Sequence, residues 1–369
     1  MKKLSLFLTL ALLVSMLAGC AGTPAIYYTD CTCPVEAHEA PAATEAPVVQ
    51  ETEAAVEAPV AAEGALKTGL YISTSIADSK SATAEANGEA KYDVTMVAVL
   101  VDDNGVIRDC IIDGISTSVK FDASGILTSD LAAAPQTKNE LGENYGMVAY
   151  GGAIAEWDAQ AAALASYAVG KTVDELRNGA IDETGKAPAG SDLASSATIY
   201  LGGYVDAIDL AVGLAAHKGA QSGDTLKLAT VTGIDSSKSA DGENAGNAQL
   251  DATVTALTMN GETITSCAID AVQAKVAFDA SGAITSDIAG AVSTKNQLGE
   301  QYGMVAWGGA IAEWDAQAAS FASYVTGKTV EEVNGIAVDE STHPTDADLA
   351  SSVTIAIGGF QALIAKAAQ

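Results

Sequence analysis

Two short segments of the sequence carry acidic and hydroxyl side chains at one shared spacing, each just before a predicted helix. Both have an aspartate, a serine three positions later and a threonine three positions after that. They are Asp192, Ser195 and Thr198 in the segment DLASSAT, and Asp348, Ser351 and Thr354 in the segment DLASSVT. The first turn of a helix presents unpaired N–H groups and the positive end of its dipole, which stabilise a phosphate. The pattern therefore indicates a phosphate-bearing group near each threonine.

The two segments belong to two copies of one longer sequence. Residues 137–176 and 294–333 are identical at 31 of 40 positions, with a constant offset of 157. A repeat of this length is too long for a solenoid unit and indicates a duplicated globular domain. We predict a first repeat at 67–218 and a second repeat at 224–369, each folding separately, joined by residues 219–223.

The segments resemble the flavinylation signal of FMN-binding domains, which are found in extracellular flavoprotein lipoproteins and in one subunit of sodium-pumping quinone reductases. That signal has the form Asp-x-x-(Ser/Thr)-Gly-Ala-(Thr/Ser), and its last hydroxyl takes FMN through a phosphodiester bond. The residues that match are Asp192, Ser195, Ala197 and Thr198 in the first repeat, and Asp348, Ser351 and Thr354 in the second. Ser196 and Ser352 stand where the family has glycine, and Val353 stands where it has alanine.

This resemblance implies a site and a function. FMN would be attached covalently to Thr198 and Thr354 by a flavin transferase, and the chain would carry electrons between redox partners without turning over a substrate of its own. Thr198 is expected to be modified more readily, because the β-branched Val353 stiffens and crowds the backbone beside Thr354. Two alternatives stay open: each segment is a plain helix-capping turn, and the chain is a non-catalytic surface binding module of the same fold, without a cofactor.

The charge and composition of the chain exclude several other classes of protein. It has 18 Lys and Arg against 47 Asp and Glu, which gives a formal net charge of −29. Such a field repels phosphate backbones, so nucleic acid is not expected as a partner. The small number of Lys and Arg also leaves few cations to bind the phosphate of a noncovalent flavin, which favours covalent attachment. The three histidines and five cysteines leave little material for a metal site, and none is predicted.

The other candidate groups are predicted to be structural. Gly170-Lys171-Thr172 lacks the earlier glycine of a phosphate-binding loop, and Thr172 with Glu175 fits a helix capping box. His217 and His343 occupy non-equivalent places in the two repeats, so no Ser-His-Asp grouping is expected. The aromatic residues expected to pack are Tyr150, Trp157, Trp307 and Trp314. For Tyr150 and Trp307, which precede a Gly-Gly pair, lining a pocket stays open as the alternative. The carboxylates expected to face solvent are Glu156, Asp158, Glu313 and Asp315, and the cysteines expected to be buried are Cys110 and Cys267.

The elements that position these residues are predicted to be strands first and helices later. Residues 92–101 and 106–115 are β-rich around the turn 102–105, which predicts a hairpin, and residues 122–125 form a second turn. Apolar residues at helical spacing, with Ile154, Trp157 and Leu164 among them, predict a helix over 153–168, and a last helix spans about 200–216. This order favours an α+β fold over a doubly wound sheet.

The N-terminal residues predict the location of the protein. Lys2 and Lys3 precede a short apolar stretch that ends in Leu-Ala-Gly-Cys, which resembles the lipobox of bacterial lipoproteins. This implies a signal peptide at 1–19, a lipid on the Cys20 sulfur and an extracytoplasmic protein anchored to a bacterial membrane. Residues 34–66 hold seven Glu, four Pro and no Lys or Arg, so residues 20–66 are expected to form an extended acidic linker.

Two further cysteines, Cys31 and Cys33, lie within that linker. They form a C-x-C pair that is compatible with a strained disulfide, a pairing with another chain or two free thiols.

We expect Cys20→Ala to release the protein from the membrane or to leave its precursor uncleaved, because the thiol is the lipid attachment point. Fractionation of cells into membrane and soluble protein, with intact mass of the product, measures this. Membrane retention of a normally processed Cys20→Ala protein would show that the anchor lies elsewhere.

Overall fold

The computed structural model describes residues 64–369, which all belong to one compact unit. Cys20, Cys31, Cys33 and residues 20–63 of the predicted linker lie outside the described residues. The unit combines helices with two antiparallel sheets, so the α+β class is confirmed. In the described part of the chain, no helix is long and apolar enough to span a membrane.

The seven strands described in residues 64–369 form one sheet of four strands and one of three. They are β1 (Ala65–Ser75), β2 (Gly88–Val101), β3 (Ile107–Phe121), β4 (Ala216–Gln221), β5 (Thr225–Gly233), β6 (Gly246–Asn260) and β7 (Thr263–Phe278). The strand order is β3-β2-β1-β4 in the first sheet and β5-β6-β7 in the second. Strand β4 begins at the predicted end of the last helix of the first repeat, and strand β1 begins within the predicted linker.

The predicted hairpin is confirmed as β2 and β3, and both strands are longer than predicted. The turn between them is closed by Asp102, whose Oδ1 accepts hydrogen bonds from the N–H groups of Asn104 and Val106, both at 2.9 Å. Gly105 has a φ of +78°, a conformation that glycine adopts without steric cost. The sequence signal was a glycine-containing polar turn between two β-rich runs.

The two sheets pack face to face and share a hydrophobic core. The Phe121 and Phe278 rings, one from each repeat, stack in it with centroids 4.0 Å apart. Two equivalent contacts flank them: the Ala82 N–H donates to the Gly282 carbonyl and the Ala240 N–H donates to the Gly125 carbonyl, each at 2.8 Å. The repeats are therefore related by an approximate two-fold axis, with like surfaces in contact.

The helices cover the outer face of each sheet. The first repeat has α1 (Lys138–Leu141), α2 (Met147–Gly151), α3 (Trp157–Ala168), α4 (Val173–Ala180) and α5 (Gly202–Gly213). The second has α6 (Lys295–Leu298), α7 (Met304–Gly308), α8 (Trp314–Val325), α9 (Val330–Asn334), α10 (Ala347–Ala350) and α11 (Gly358–Ala367). Short 3₁₀ helices occupy Gly142–Tyr145, Leu193–Ser195 and Gly299–Tyr302.

Each helical layer has its own core against its sheet, and the predicted helices are shorter than expected. Trp157 and Leu164 of α3 are buried in the first-repeat core, as predicted. Ile154 lies before the helix begins and is 56% exposed, so the prediction that it belongs to the apolar face of the helix was wrong. The predicted capping boxes at Thr172–Glu175 and Thr329–Glu332 are present. Cys110 and Cys267 are buried and free of disulfides, as predicted.

The shared core changes what we expect of an isolated repeat. A fragment of residues 224–369 would expose the apolar sheet face that packs on the first repeat, and this face is complementary to a copy of itself. We expect the fragment to form a homodimer, measured by size exclusion with light scattering, and Phe278→Asp to keep it monomeric and less stable. A monomeric fragment that unfolds cooperatively would instead support two separately folding domains.

Candidate functional site

Thr198 lies on a turn between the 3₁₀ helix Leu193–Ser195 and α5. Helix α5 begins at Gly202, four residues after Thr198, and the Thr198 side chain does not cap it. In the second repeat, α11 begins at Gly358, four residues after Thr354. The prediction that each threonine stands at the start of a helix was therefore wrong, and with it the helix-capping role of the threonine.

A buried glutamine of α3 holds this turn. The Gln160 side chain is fully buried, and its Oε1 accepts the N–H of Thr198 at 2.8 Å and the N–H of Ile199 at 3.2 Å. The same oxygen accepts the Thr198 hydroxyl at 3.3 Å. Its Nε2 donates to the Ala155 carbonyl at 2.8 Å. One side-chain amide thus joins the threonine turn to the segment that leads into α3.

The second repeat has the same arrangement around Gln317. Its Oε1 accepts the Thr354 N–H at 2.8 Å, the Thr354 hydroxyl at 3.2 Å and the Ile355 N–H at 3.2 Å. Its Nε2 donates to the Ala312 carbonyl at 2.8 Å. Sequence reasoning missed both glutamines. The signal was a polar residue on the apolar side of each helix, three positions after Trp157 or Trp314.

The serine of each segment hydrogen-bonds to the backbone of the aspartate, and neither residue forms a described hydrogen bond with the threonine. The Ser195 hydroxyl donates to the Asp192 carbonyl at 2.6 Å, and the Ser351 hydroxyl donates to the Asp348 carbonyl at 2.7 Å. These bonds close the turn through the backbone and leave the carboxylates exposed. In the second repeat the cap of α10 is Asp346, whose Oδ1 accepts the N–H groups of Asp348 and Leu349.

The serine that replaces the family glycine fits its backbone without strain. Ser196 has a φ of −117°, which any residue adopts, and Ser352 has no positive φ either. The residue before each threonine, Ala197 or Val353, is buried beneath the turn. Because Val353 is buried and Thr354 is exposed, we expect little crowding of Thr354 by the Val353 side chain.

Both threonines are exposed, and nothing in the described contacts activates their hydroxyls. A threonine hydroxyl is a weak nucleophile unless a base stands beside it. The two histidines of the described chain are engaged elsewhere: His217 contacts Asp103 at 3.0 Å and His343 contacts Asp339 at 3.2 Å. Within residues 64–369, no group of three or more His, Cys, Asp or Glu could hold a metal ion.

Acidic residues dominate the surroundings of the second threonine turn. Burial, together with the nearby carboxylates of Asp346 and Asp348, raises the pKa of the Tyr324 phenol. Neither Asp192 nor Asp348 forms an ion pair within the described residues. A ligand phosphate here would therefore depend on a covalent bond more than on attraction by cations.

Several side chains near the site differ from prediction. The Glu156 and Glu313 carboxylates do not face solvent, because each accepts the first N–H groups of a short helix, α2 or α7, at 2.8 and 3.0 Å. Asp158 is only partly exposed, and its Oδ1 is buried. Tyr150 and Trp307, expected to pack, are 94% and 90% exposed.

Comparisons of the chain with protein-family models, with curated proteins and with solved structures found no match. The resemblance to FMN-binding domains therefore rests on the segments around Thr198 and Thr354 alone.

We expect Gln160→Leu to lower the free energy of unfolding by about 2–4 kcal/mol, because it removes the partners of two N–H groups and one carbonyl. Urea denaturation measures the loss, and hydrogen exchange at the Thr198 amide should accelerate. Ser166→Leu, on the exposed side of the same helix, should change stability by less than about 0.5 kcal/mol. An unchanged Thr198 exchange rate in Gln160→Leu would mean that the glutamine does not hold the turn.

Proposed function

We propose that this protein is a lipid-anchored, extracytoplasmic electron carrier with two tandem FMN-binding-like domains. FMN is bound covalently at Thr198 and Thr354, and the protein has no active site of its own for a further substrate. Its partners are a flavin transferase, which loads it, and redox proteins, with which it exchanges electrons. A lipid on Cys20 keeps it at the outer surface of the membrane.

One observation carries this proposal: each repeat holds an exposed threonine on a turn that a buried glutamine fixes. The Thr198 hydroxyl lies 3.3 Å from the Gln160 Oε1, and the Thr354 hydroxyl lies 3.2 Å from the Gln317 Oε1. The backbone N–H of each threonine donates to the same glutamine oxygen at 2.8 Å. A modifying enzyme can approach an exposed threonine, and the fixed turn holds that threonine in one orientation.

The absence of a base beside the described threonines agrees with loading by a separate enzyme. In that reaction, the threonine oxygen forms a bond to the flavin-side phosphorus of a flavin dinucleotide. The phosphoanhydride bond breaks, the nucleoside monophosphate leaves and the hydroxyl proton passes to a base of the transferase. No electrons are gained or lost, and FMN remains on the protein as a phosphodiester.

Once bound, FMN would supply the electron transfer itself. The residues of this chain would tether and orient it: the threonine by its covalent bond, and Gln160 or Gln317 by holding the turn. The net charge of −29 would also steer encounters toward redox partners with basic surfaces and would make their association rates sensitive to salt.

A surface binding module without flavin is the second candidate. The exposed Tyr150 and Trp307 favour it, because large aromatic side chains at equivalent exposed positions are typical of binding surfaces. The two functions differ in one property that is measured directly, since a flavoprotein is yellow and a bare module is colourless.

We expect co-expression with a flavin transferase to add two FMN groups per chain, measured by intact mass. Thr198→Ala and Thr354→Ala should each remove one group to a similar extent, because the two acceptors have matching contacts. Thr198→Ser keeps a hydroxyl and should keep its FMN. A colourless chain of unmodified mass would overturn the flavin proposal and favour the binding module.

A further inference from the structure

The most exposed aromatic rings of the described chain occupy equivalent positions in the two repeats. Tyr150 of α2 is 94% exposed and Trp307 of α7 is 90% exposed. Each is followed four residues later by an exposed isoleucine, Ile154 or Ile311, at 56% and 57%. We call each aromatic residue with its isoleucine a ring platform. Exposed apolar side chains at equivalent positions of both repeats are candidates for contact with a ligand.

Each ring lies beside a glycine that precedes its short helix. The Tyr150 ring lies against Gly146, and the Trp307 ring lies against Gly303, where an added Cβ would collide with it. Both glycines have a positive φ, +80° and +81°. The short helix that carries each ring is fixed at its start by the Glu156 or Glu313 carboxylate. The backbone that carries each ring is therefore fixed, and both rings are open to a ligand.

The platform is connected to the threonine turn of the same repeat. The Gln160 amide binds both the Ala155 carbonyl and the Thr198 N–H, so the residue after Ile154 lies beside the acceptor turn. From Tyr150 to Ala155 the chain advances five residues, which span at most about 18 Å when fully extended. The actual span is shorter, because the Ala153 N–H folds back to the Met147 carbonyl at 3.1 Å.

The chemistry of the platform selects a flat, conjugated and largely uncharged ring. An open aromatic face attracts another aromatic ring by offset stacking. One such contact is too weak to retain a freely diffusing ligand. A tether to the neighbouring threonine raises the local concentration to the millimolar range for a short flexible linker, which makes the weak contact effective.

We propose that Tyr150 and Trp307 stack against the isoalloxazine ring of FMN attached in the same repeat, an inference that rests on the proposed function. Tyr200 is a competing surface in the first repeat, because it is 59% exposed and lies two residues after Thr198. Its counterpart in the second repeat is Ala356. Tyr200 therefore cannot supply a stacking surface common to both repeats, whereas position 150 and position 307 can.

The test uses the full chain loaded with one flavin at a time and compares flavin emission at equal loading. In the Thr354→Ala background, Tyr150→Ala should raise the flavin fluorescence yield by about a factor of two or more, because a stacked phenol quenches it. In the Thr198→Ala background, Trp307→Ala should do the same, since a stacked indole is also a quencher. Intact mass reports the FMN content of every sample, and Tyr200→Ala is the matched control.

The outcomes separate this inference from the function on which it rests. Full loading by mass, with emission unchanged in Tyr150→Ala and Trp307→Ala, overturns the stacking inference and leaves the flavin proposal standing. A rise in Tyr200→Ala in place of Tyr150→Ala also overturns it, since the ring would then rest elsewhere. A wild-type chain without FMN mass overturns both.

Discussion

The stacked pair of Phe121 and Phe278 marks the constraint on which the rest of the structure depends. Each sheet is covered on both faces, by the other sheet inside and by its own helices outside. This explains why residues 96–101 of β2 and 254–259 of β6 are buried without a break, where a half-exposed strand would alternate. Because side chains on both faces are fixed, neither hairpin can slip by one residue without exposing a core.

The approximate symmetry follows from the same packing. Gly125 and Gly282 lie where the FDASG turn of one repeat meets the other repeat, and a Cβ at Gly125 would lie 2.8 Å from the Cβ of Ala240. Their positive φ values, +69° and +68°, also favour glycine. A glycine here therefore serves both the local turn and the close approach of the two repeats. Bulkier residues at either position would separate the sheets at this end of the core.

The sequence predicted the local elements well, since hairpins, turns and capping boxes depend on neighbouring residues. The turn of Asp102 and Gly105 and the box of Thr172 and Glu175 are examples. It did not predict β4 or the contact between sheets, because a repeat shows that two units are alike but not how they pack. The contacts of the candidate site were predicted only in part. The threonines were found from a motif, whereas Gln160 touches Thr198 only through the tertiary fold, across 38 positions of sequence.

The carboxylates show why net charge does not reveal the role of an individual acidic residue. In a chain with 47 acidic residues, Glu156 and Glu313 looked like ordinary solvated groups. A carboxylate that accepts two N–H groups at the start of a short helix has a structural role, because a five-residue helix is too short to be stable by itself. The spacing of nine residues between Met147 and Glu156 is not a local capping pattern, so only the folded chain reveals it.

The two repeats share their central core but not their threonine turns. The central core joins them, so damage at Phe121 or Phe278 affects both. Each threonine turn instead has its own glutamine, its own buried neighbour and its own helical layer, and the cores beneath the layers are separate. Changes at sites that share no partners and lie more than about 10 Å apart add independently. With the double sheet between the layers, a change at Thr198 should leave the Thr354 turn as it was, so the duplication supplies two separate turns on one jointly stabilised scaffold.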